Sequence, residues 1–347
     1  MANIKDVARE AHVSVATVSR VFNDSAVVSE PTRRAVRKVA DRLNYWPNGA
    51  ARSLITNRTH SIGVMLPDLF GEFYSEILRG LDSTARKAGL HLLVSSSHAD
   101  ADEMIGTLRT MRGRIDGLIV MAPDLDARSA IRAAATDLPL VLIDPASGFD
   151  GCDTVTIANR EGAYWIVMHL LALGHRCVAT ITGPLGNWDA RQRLEGYRAA
   201  LRKGGVDLAS ELEIVGDFTE PSGYEAVSRL LALRPRPTAV FAANDYMAIG
   251  VLGALSDAHI RVPEDIALAG FDDIAMARYL NPPLTTVHVD AYRLGERAME
   301  SLLEKPKARR GRLARHEVLP TTLVVRRSCG SSVAKEARGG AGRRRRR

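Results

Sequence analysis

The sequence predicts an α/β protein: a small N-terminal module of three helices, then a two-lobed, doubly wound body. Three observations carry this reading. Residues 1–46 hold three short stretches with apolar residues at helical spacing. From Ser61 onward, apolar runs of strand length alternate with amphipathic stretches, the pattern of repeated βα units with parallel sheets. The net charge of +7 over 347 residues is uneven, with ten Lys/Arg against five Asp/Glu in residues 1–60, nine against one in 326–347, and −6 between them. An acidic body with a basic N-terminal module implies a polyanion met by one end of the molecule.

In the first helix the apolar positions are Ile4, Val7, Ala8 and Ala11, with Asn3 as N-cap. The second has Val15, Val18, Val21 and Phe22 behind Ser14. The third has Ala35, Val36, Val39, Ala40 and Leu43 behind Ser29, with Pro31 beside that cap. Pro47 stops any continuing helix. The candidate strands are 62–66, 90–96, 117–121, 140–144, 178–182, 212–216, 238–243 and 266–271, with helix-like stretches at 73–88, 160–173, 190–203 and 245–257. The series reads as two similar halves within 61–328, with a break near 154–159 and the chain crossing back near 288–292. Sheets of this kind bind ligands at strand C-terminal ends, so the default site is a cleft between the lobes. From Cys329 to Arg347 the chain is small, polar and basic, and a disordered tail is expected. That tail is either a source of nonspecific nucleic-acid affinity or simply solvated.

Several classes are disfavoured. No apolar run reaches the ~18 residues that span a bilayer, and residues 1–12 mix charged with apolar residues unlike a signal peptide, so a soluble cytoplasmic protein without a membrane partner is expected. Cys152, Cys177 and Cys329 lack metal or disulfide spacing and read as inert thiols. There is no GxGxxG after a strand, no GxxxxGK[ST], HExxH or GxSxG, and the nine histidines are scattered, with His169 and His175 a coincidental pair. No cofactor, metal or catalytic residue is assigned.

A helix, a tight turn and a second helix within about twenty residues is the helix-turn-helix arrangement, whose second helix enters the major groove. Here that helix runs from Val15 to Phe22, with Ser14, Val15, Ala16 and Thr17 outward at its start, Val18 and Val21 inward, and Arg20 one turn on. Hydroxyls and amides at such an end hold phosphates, and an arginine pairs with guanine. A protein-binding three-helix bundle is the competing reading.

The words IKDVAREAHVSVATVSRVFN and VSEPTRRAVRKVADRLNYWPNGAARSL closely resemble the LacI/GalR family of bacterial transcriptional regulators. The likeness continues through LPDLFGEFYSEILRGLD, LGHR, RQRLEGYRAAL, FAANDYMAIGVLGAL, VPEDIALAGFDDI, PPLTTVHVD and LVVRRS, covering about residues 2–328. It implies that Val15 and Ala16 choose the operator, that Arg20 reads a base, and that Asn3, Ser14, Thr17, Ser19, Asn23 and Tyr45 mostly position the DNA backbone. Residues 47–60 would be a hinge helix and linker, with Leu54 wedging into the minor groove and Ala51 letting paired hinges approach. An isolated helix this short is marginal in water and carries Gly49, so it would order only with a partner hinge and DNA. The family usually has Gly where His12 stands, a turn position that favours a left-handed backbone.

The resemblance also implies a body like type I periplasmic sugar-binding proteins. It places effector contacts at Asp144, Arg193, Asn244 and Asp272, and aromatic or apolar faces at Phe73, Tyr74 and Phe218. Carboxylate acceptors and an arginine fork together suit the paired hydroxyls of a sugar. Singly, Arg193 also reads as an exposed helical arginine, Asp272 as a helix cap, and Phe73 and Tyr74 as core aromatics. Gly71-Glu72 replaces the family's commoner Asn-Pro, and Ala291 stands where some relatives have an aromatic. The implied protein is a repressor that acts as a homodimer on double-stranded, pseudo-palindromic operator DNA and answers to a small-molecule effector, expected to be a sugar. A corepressor-dependent regulator and a carbohydrate-active enzyme tethered to DNA are the alternatives.

Overall fold

A computed structural model of the chain describes residues 2–22, 27–46, 58–98, 100–121, 123, 131, 138–146, 151–304 and 314–331. The chain divides after His60 into two compact units. In the first, α1 (Ile4–Glu10), α2 (Val15–Phe22) and α3 (Glu30–Arg42) enclose Val7, Ala8, Val18, Val21, Val36 and Ala40. Asn3 caps α1 through a reciprocal pair: its Oδ1 accepts the amides of Lys5 and Asp6, and its own amide donates to the Asp6 carboxylate. Ser14 Oγ accepts the Thr17 amide at 3.1 Å. Ser29 departs from expectation, because its hydroxyl makes no cap bond to α3 and meets the Thr32 hydroxyl at 2.9 Å instead. His12 takes a φ of 51°, the left-handed conformation its place in the turn requires. Arg42 pairs with Glu10 at 2.6 Å, tying α3 to α1.

The body opens with β1 (Ser61–Leu66), α4 (Glu72–Lys87), β2 (His91–Ser96), α5 (Ala101–Met111), β3 (Gly117–Met121), β4 (Leu140–Ile143) and β5 (Asp153–Ile157). With β11 (His316–Leu319) these strands make a parallel six-stranded sheet in the order β11-β5-β4-β3-β1-β2. The second lobe runs α6 (Asn159–Ala172), β6 (Val178–Thr182), α7 (Trp188–Lys203), β7 (Glu213–Val215), α8 (Glu220–Ala232), β8 (Ala239–Ala242), α9 (Asp245–Asp257) and β9 (Ala267–Ala269). Its four strands are parallel in the order β7-β6-β8-β9. Strands such as β3 and β8 are buried along their whole length, as parallel strands covered on both faces must be.

After β10 (Thr286–His288) the chain returns to the first lobe as α10 (Ala291–Leu303), which packs on α4 and on β3, β4 and β5. It then forms β11 and crosses once more to β12 (Thr322–Val324), antiparallel to β10. Three connections therefore join the lobes: Ala158, the turn after His288, and the link from β11 to β12. The contact of α4 with α10 is a backbone contact. A Cβ on Gly80 would lie 2.0 Å from the Tyr292 carbonyl oxygen, and one on Gly295 would lie 2.1 Å from that of Ile77.

The C-terminal segment is ordered further than expected. Cys329, placed in a solvated tail by its polar, glycine-rich surroundings, is 1% exposed and packs in the body's core. Its thiol lies 3.4 Å from His169 Nε2. Burial pushes that thiol up, but hydrogen bonds with His169, Thr285 and Ser331 outweigh it and bring it down to about 7. His175 meets the Thr238 hydroxyl instead, so the two histidines do not form a pair. Residues 47–57 of the expected hinge helix and linker, 47–60, and the basic segment from 332 onward lie outside the described residues.

Candidate functional site

The N-terminal unit presents one face of α2 outward. Val18 and Val21 are buried in the three-helix core, which turns Val15, Ala16 and Arg20 outward; Val15 is 41% exposed. The Ser14 and Thr17 hydroxyls hold each other at 2.9 Å at the start of α2. Asn3 has its side-chain oxygen engaged in capping α1, which leaves only its amide nitrogen for a phosphate. Ser19 is half-buried, and the half-buried Tyr45 stacks edge-on to Phe22 with centroids 5.8 Å apart. Asn23, Ala51 and Leu54 lie outside the described residues.

In the body, a cavity of about 410 Å³ opens where the C-terminal ends of the strands in both lobes face each other. Six of the seven residues assigned to the effector line it: Phe73, Tyr74, Arg193, Phe218, Asn244 and Asp272. Asp144 does not. It sits at the end of β4 with a φ of 42°, which turns the carboxylate into the body, where Oδ1 accepts the Ile157 amide at 2.8 Å. Its Oδ2 is buried without a hydrogen bond, and burial, followed by the charge of Asp189, holds this carboxyl well above the usual range. Asp144 therefore acts beneath the wall, bracing the segment at which the chain changes lobes.

Arg193 is the centre of the wall. It is 5% exposed rather than a surface arginine. Its Nε donates to Asn159 Oδ1 at 2.8 Å and its Nη1 to the Ala243 carbonyl at 2.6 Å, while the guanidinium lies 3.9 Å from the Phe271 ring centroid. Nη1 also stands 3.1 Å from Asp272 Oδ1 as an ion pair. At that contact Oδ1 gains the charge of Arg193 but no hydrogen bond of good geometry. Burial pushes Asp272 up to about 6, against the opposing pull of Arg193. Asp272 caps no helix; the short turn after it is entered at Ile274. Both Asp272 and Phe218 hold positive φ, 105° and 72°, the kind of backbone strain that gathers at functional sites.

Asn244 lines the cavity while its amide group is committed locally: Oδ1 accepts the Met247 amide at 2.9 Å and Nδ2 donates to the Phe218 carbonyl at 2.9 Å. It shapes the wall and holds Phe218 in place. Phe73 and Tyr74 serve both readings, packing partly into the core and partly facing the cavity. The sequence reading missed Asp189 and Tyr246. Asp189 precedes Arg193 by one helical turn on α7, a spacing that places both on one face. Asn159 links the two, donating to Asp189 at 3.1 Å. Tyr246 follows the Asn244 cap by two residues and reaches across the cleft, its hydroxyl accepting the Glu72 amide at 2.9 Å. Ala291 lies outside this cavity, in a smaller one of about 210 Å³ behind Asp272.

Comparison with known proteins fits this arrangement. The bacterial regulatory proteins, lacI family, match residues 3–48, and the periplasmic binding protein-like domain matches residues 167–329. The ribose operon repressor of Escherichia coli (strain K12) is 40% identical over 308 residues, covering 88% of this chain and 93% of the relative. The chain belongs to the LacI family. The HTH-type transcriptional repressor PurR of Erwinia tasmaniensis is 37% identical, covering 97% of this chain and all of that protein. Among solved structures, a Lac repressor dimer bound to operator and the anti-inducer ONPF aligns with a TM-score of 0.85 at 31% identity, covering 94% of this chain and 99% of that one. This LacI-family protein is a DNA-binding transcriptional repressor with an effector-binding body, and it is not an enzyme. Among the described residues no group of side chains is arranged to hold a metal, and no helix is long and apolar enough to cross a membrane.

Proposed function

We propose that this repressor is released from a pseudo-palindromic operator in the cytoplasm by a small sugar bound in the 410 Å³ cavity. The observation that carries the reading is the Arg193–Asp272 pair, in which a buried carboxylate oxygen has charge compensation but no hydrogen bond. A hydroxyl of a polyol supplies that bond, and the aromatic faces of Phe73, Tyr74 and Phe218 suit the apolar side of a sugar ring. The ribose operon repressor among the relatives agrees with a sugar.

The repressor acts as a homodimer, because one helix-turn-helix seldom reaches the affinity and specificity of an operator and two-fold protein symmetry matches a palindrome. The edge strand β2 supports this, since Leu93 and Val94 leave apolar side chains on an unpaired sheet edge. Residues 47–60 act as the conditional hinge, ordering with DNA and a second chain. Arg20, Val15 and Ala16 read bases. Ser14, Thr17, Ser19, Asn23, Asn3 and Tyr45 hold the backbone, and Leu54 and Ala51 serve the minor groove.

The test is selection from random DNA duplexes at fixed, near-physiological salt, with and without a panel of sugars and nucleobases. An enriched pseudo-palindrome lost with one sugar supports the proposal. Enrichment only in the presence of a ligand would show corepression instead, and enrichment under no condition would overturn it.

A further inference from the structure

The walls of the effector cavity are unbalanced in charge. Among the described residues Asp68, Asp189, Asp217, Glu220 and Asp272 line it, against one guanidinium, Arg193, and one imidazole, His98. The guanidinium is committed to Asp272, Asn159 and Ala243. Asp217 is fixed as an acceptor by the Thr219 amide and hydroxyl at 2.9 and 2.6 Å; these bonds and one with Ser222 outweigh its burial and hold its carboxyl below the usual range.

The helix N-termini at this wall already carry negative charge of the chain itself. Four helices, α4, α7, α8 and α9, begin at this wall, and open N-termini are ready-made anion sites. Each is answered in part from within the chain. Glu72, Asp189, Glu220 and Asp245 stand in their first turns, and the caps Asn187, Thr219 and Asn244 each accept one amide, those of Ala190, Ser222 and Met247. The starts of α7 and α8 therefore already carry a carboxylate of the protein itself, Asp189 and Glu220, beside the cap oxygen. The buried Asp272 Oδ1, lacking a hydrogen bond, asks for a donor from the ligand rather than for a charge.

From this wall we infer that the effector carries no anionic group: the cavity accepts an uncharged or cationic donor-rich molecule and rejects its phosphate ester. The inference rests on the reading of this cavity as the effector site and adds what that reading leaves open, the charge of the ligand. A phosphate dianion placed among these carboxylates meets like charge in a partly desolvated space whose one described guanidinium is already paired, which costs roughly a hundredfold in affinity or more. Rejection of the wrong ligand is thus built from repulsion, in Asp217 and Glu220 at the rim and Asp189 deeper in.

Calorimetric titration of the full-length protein tests this with matched pairs: D-ribose against D-ribose 5-phosphate, D-glucose against D-glucose 6-phosphate, and inosine against inosine monophosphate. The expected result is binding by the phosphate-free member of one pair, with its phosphate ester at least about 100-fold weaker. In the variant D217N/E220Q that gap should narrow by about tenfold or more, a change of ratio that altered folding alone would not produce. A phosphate ester that binds as well as or better than its parent overturns the inference, as does an unchanged ratio in the double variant. Binding by inosine alone refutes the simple-sugar proposal yet leaves the charge rule readable against inosine monophosphate. Binding by no member, in protein that still retains operator DNA, overturns both.

Discussion

Glu72 of the first lobe and Ala275 of the second are joined across the cleft, the Glu72 carboxylate accepting the Ala275 amide with both oxygens at 2.8 and 2.9 Å. The backbone amide of Glu72 in turn donates to the Tyr246 hydroxyl from the other lobe. One residue at the start of α4 thus fastens the mouth of the cleft twice, at the place where Gly71-Glu72 replaces the family's commoner Asn-Pro. Gly71 fits this clasp: its φ is 95°, and a Cβ there would lie 3.2 Å from the Tyr246 ring.

Glu72→Ala removes the carboxylate half of the clasp. A hydrogen bond to a charged group contributes about 1.5–3 kcal/mol when buried, less at an exposed mouth, so effector affinity should fall by about 5- to 20-fold. Calorimetry checks this, and small-angle scattering of the ligand-free protein should show a more open body. Unchanged affinity would mean that the clasp plays no part in closure.

Arg193→Lys keeps the charge but loses the planar fork, the contact with Asn159 and the stacking on Phe271. Effector binding should be lost while operator affinity without ligand is retained. Arg193→Ala goes further, leaving Asp272 buried without its counter-charge, and should also destabilise the body by about 3–5 kcal/mol in denaturant unfolding.

Arg20→Ala should weaken specific operator binding by about 1–3 kcal/mol, as loss of a guanine contact does, with effector affinity unchanged. Gel-shift titration at constant salt against operator and scrambled duplex checks this. An equal loss on both duplexes would assign Arg20 to a phosphate instead.

The pH dependence has two opposite arms. The folded carboxyl of Asp272 titrates at about 6 against an ordinary 3.8, so the folded body holds a proton that the unfolded chain releases. Its contribution to stability is therefore present below about pH 4 and lost as pH rises through about 6. Effector hydroxyls that donate to this carboxylate need it ionised, so affinity should fall by roughly tenfold per unit as pH drops below about 6. Titrations between about pH 5 and 8 check the binding arm, and an affinity flat through this range would remove Asp272 from the contact.

Leu93→Lys together with Val94→Lys places two charges on the exposed edge of β2. If this edge is the dimer surface, sedimentation at micromolar concentration should shift toward monomer, with specific operator binding lost in parallel.

The sequence was most legible where one physical signal dominated. Fully buried strands such as Gly117–Met121 and Val178–Thr182 stand out as apolar or β-branched runs, and Arg193 and Asp272 stand out through the family resemblance of the motifs that hold them. The strands β5, β10, β11 and β12 are absent from the sequence reading, being short and rich in Thr, Asp, His and Glu. Several of those polar residues are satisfied by distant partners, as Asp153 is by Ser301 and Arg315. Asp144 was misplaced for a related reason: position at a strand end does not tell which way the next backbone turn aims the side chain, and a positive φ there aims it inward. Cys329 escaped because its anchor, His169, lies 160 residues away.

The return of the chain to its starting lobe also sets an order on synthesis. The second lobe is one continuous stretch from Asn159 to His288 apart from β12, but the first sheet lacks its outermost strand until Leu319 has left the ribosome, and α10 covers it only once residue 303 has emerged. Through most of translation the nascent first lobe shows the apolar faces of β3 and β4 uncovered. Coding-sequence changes that slow elongation after the first-lobe strands have emerged and before α10 has done so would prolong that exposure and favour aggregation.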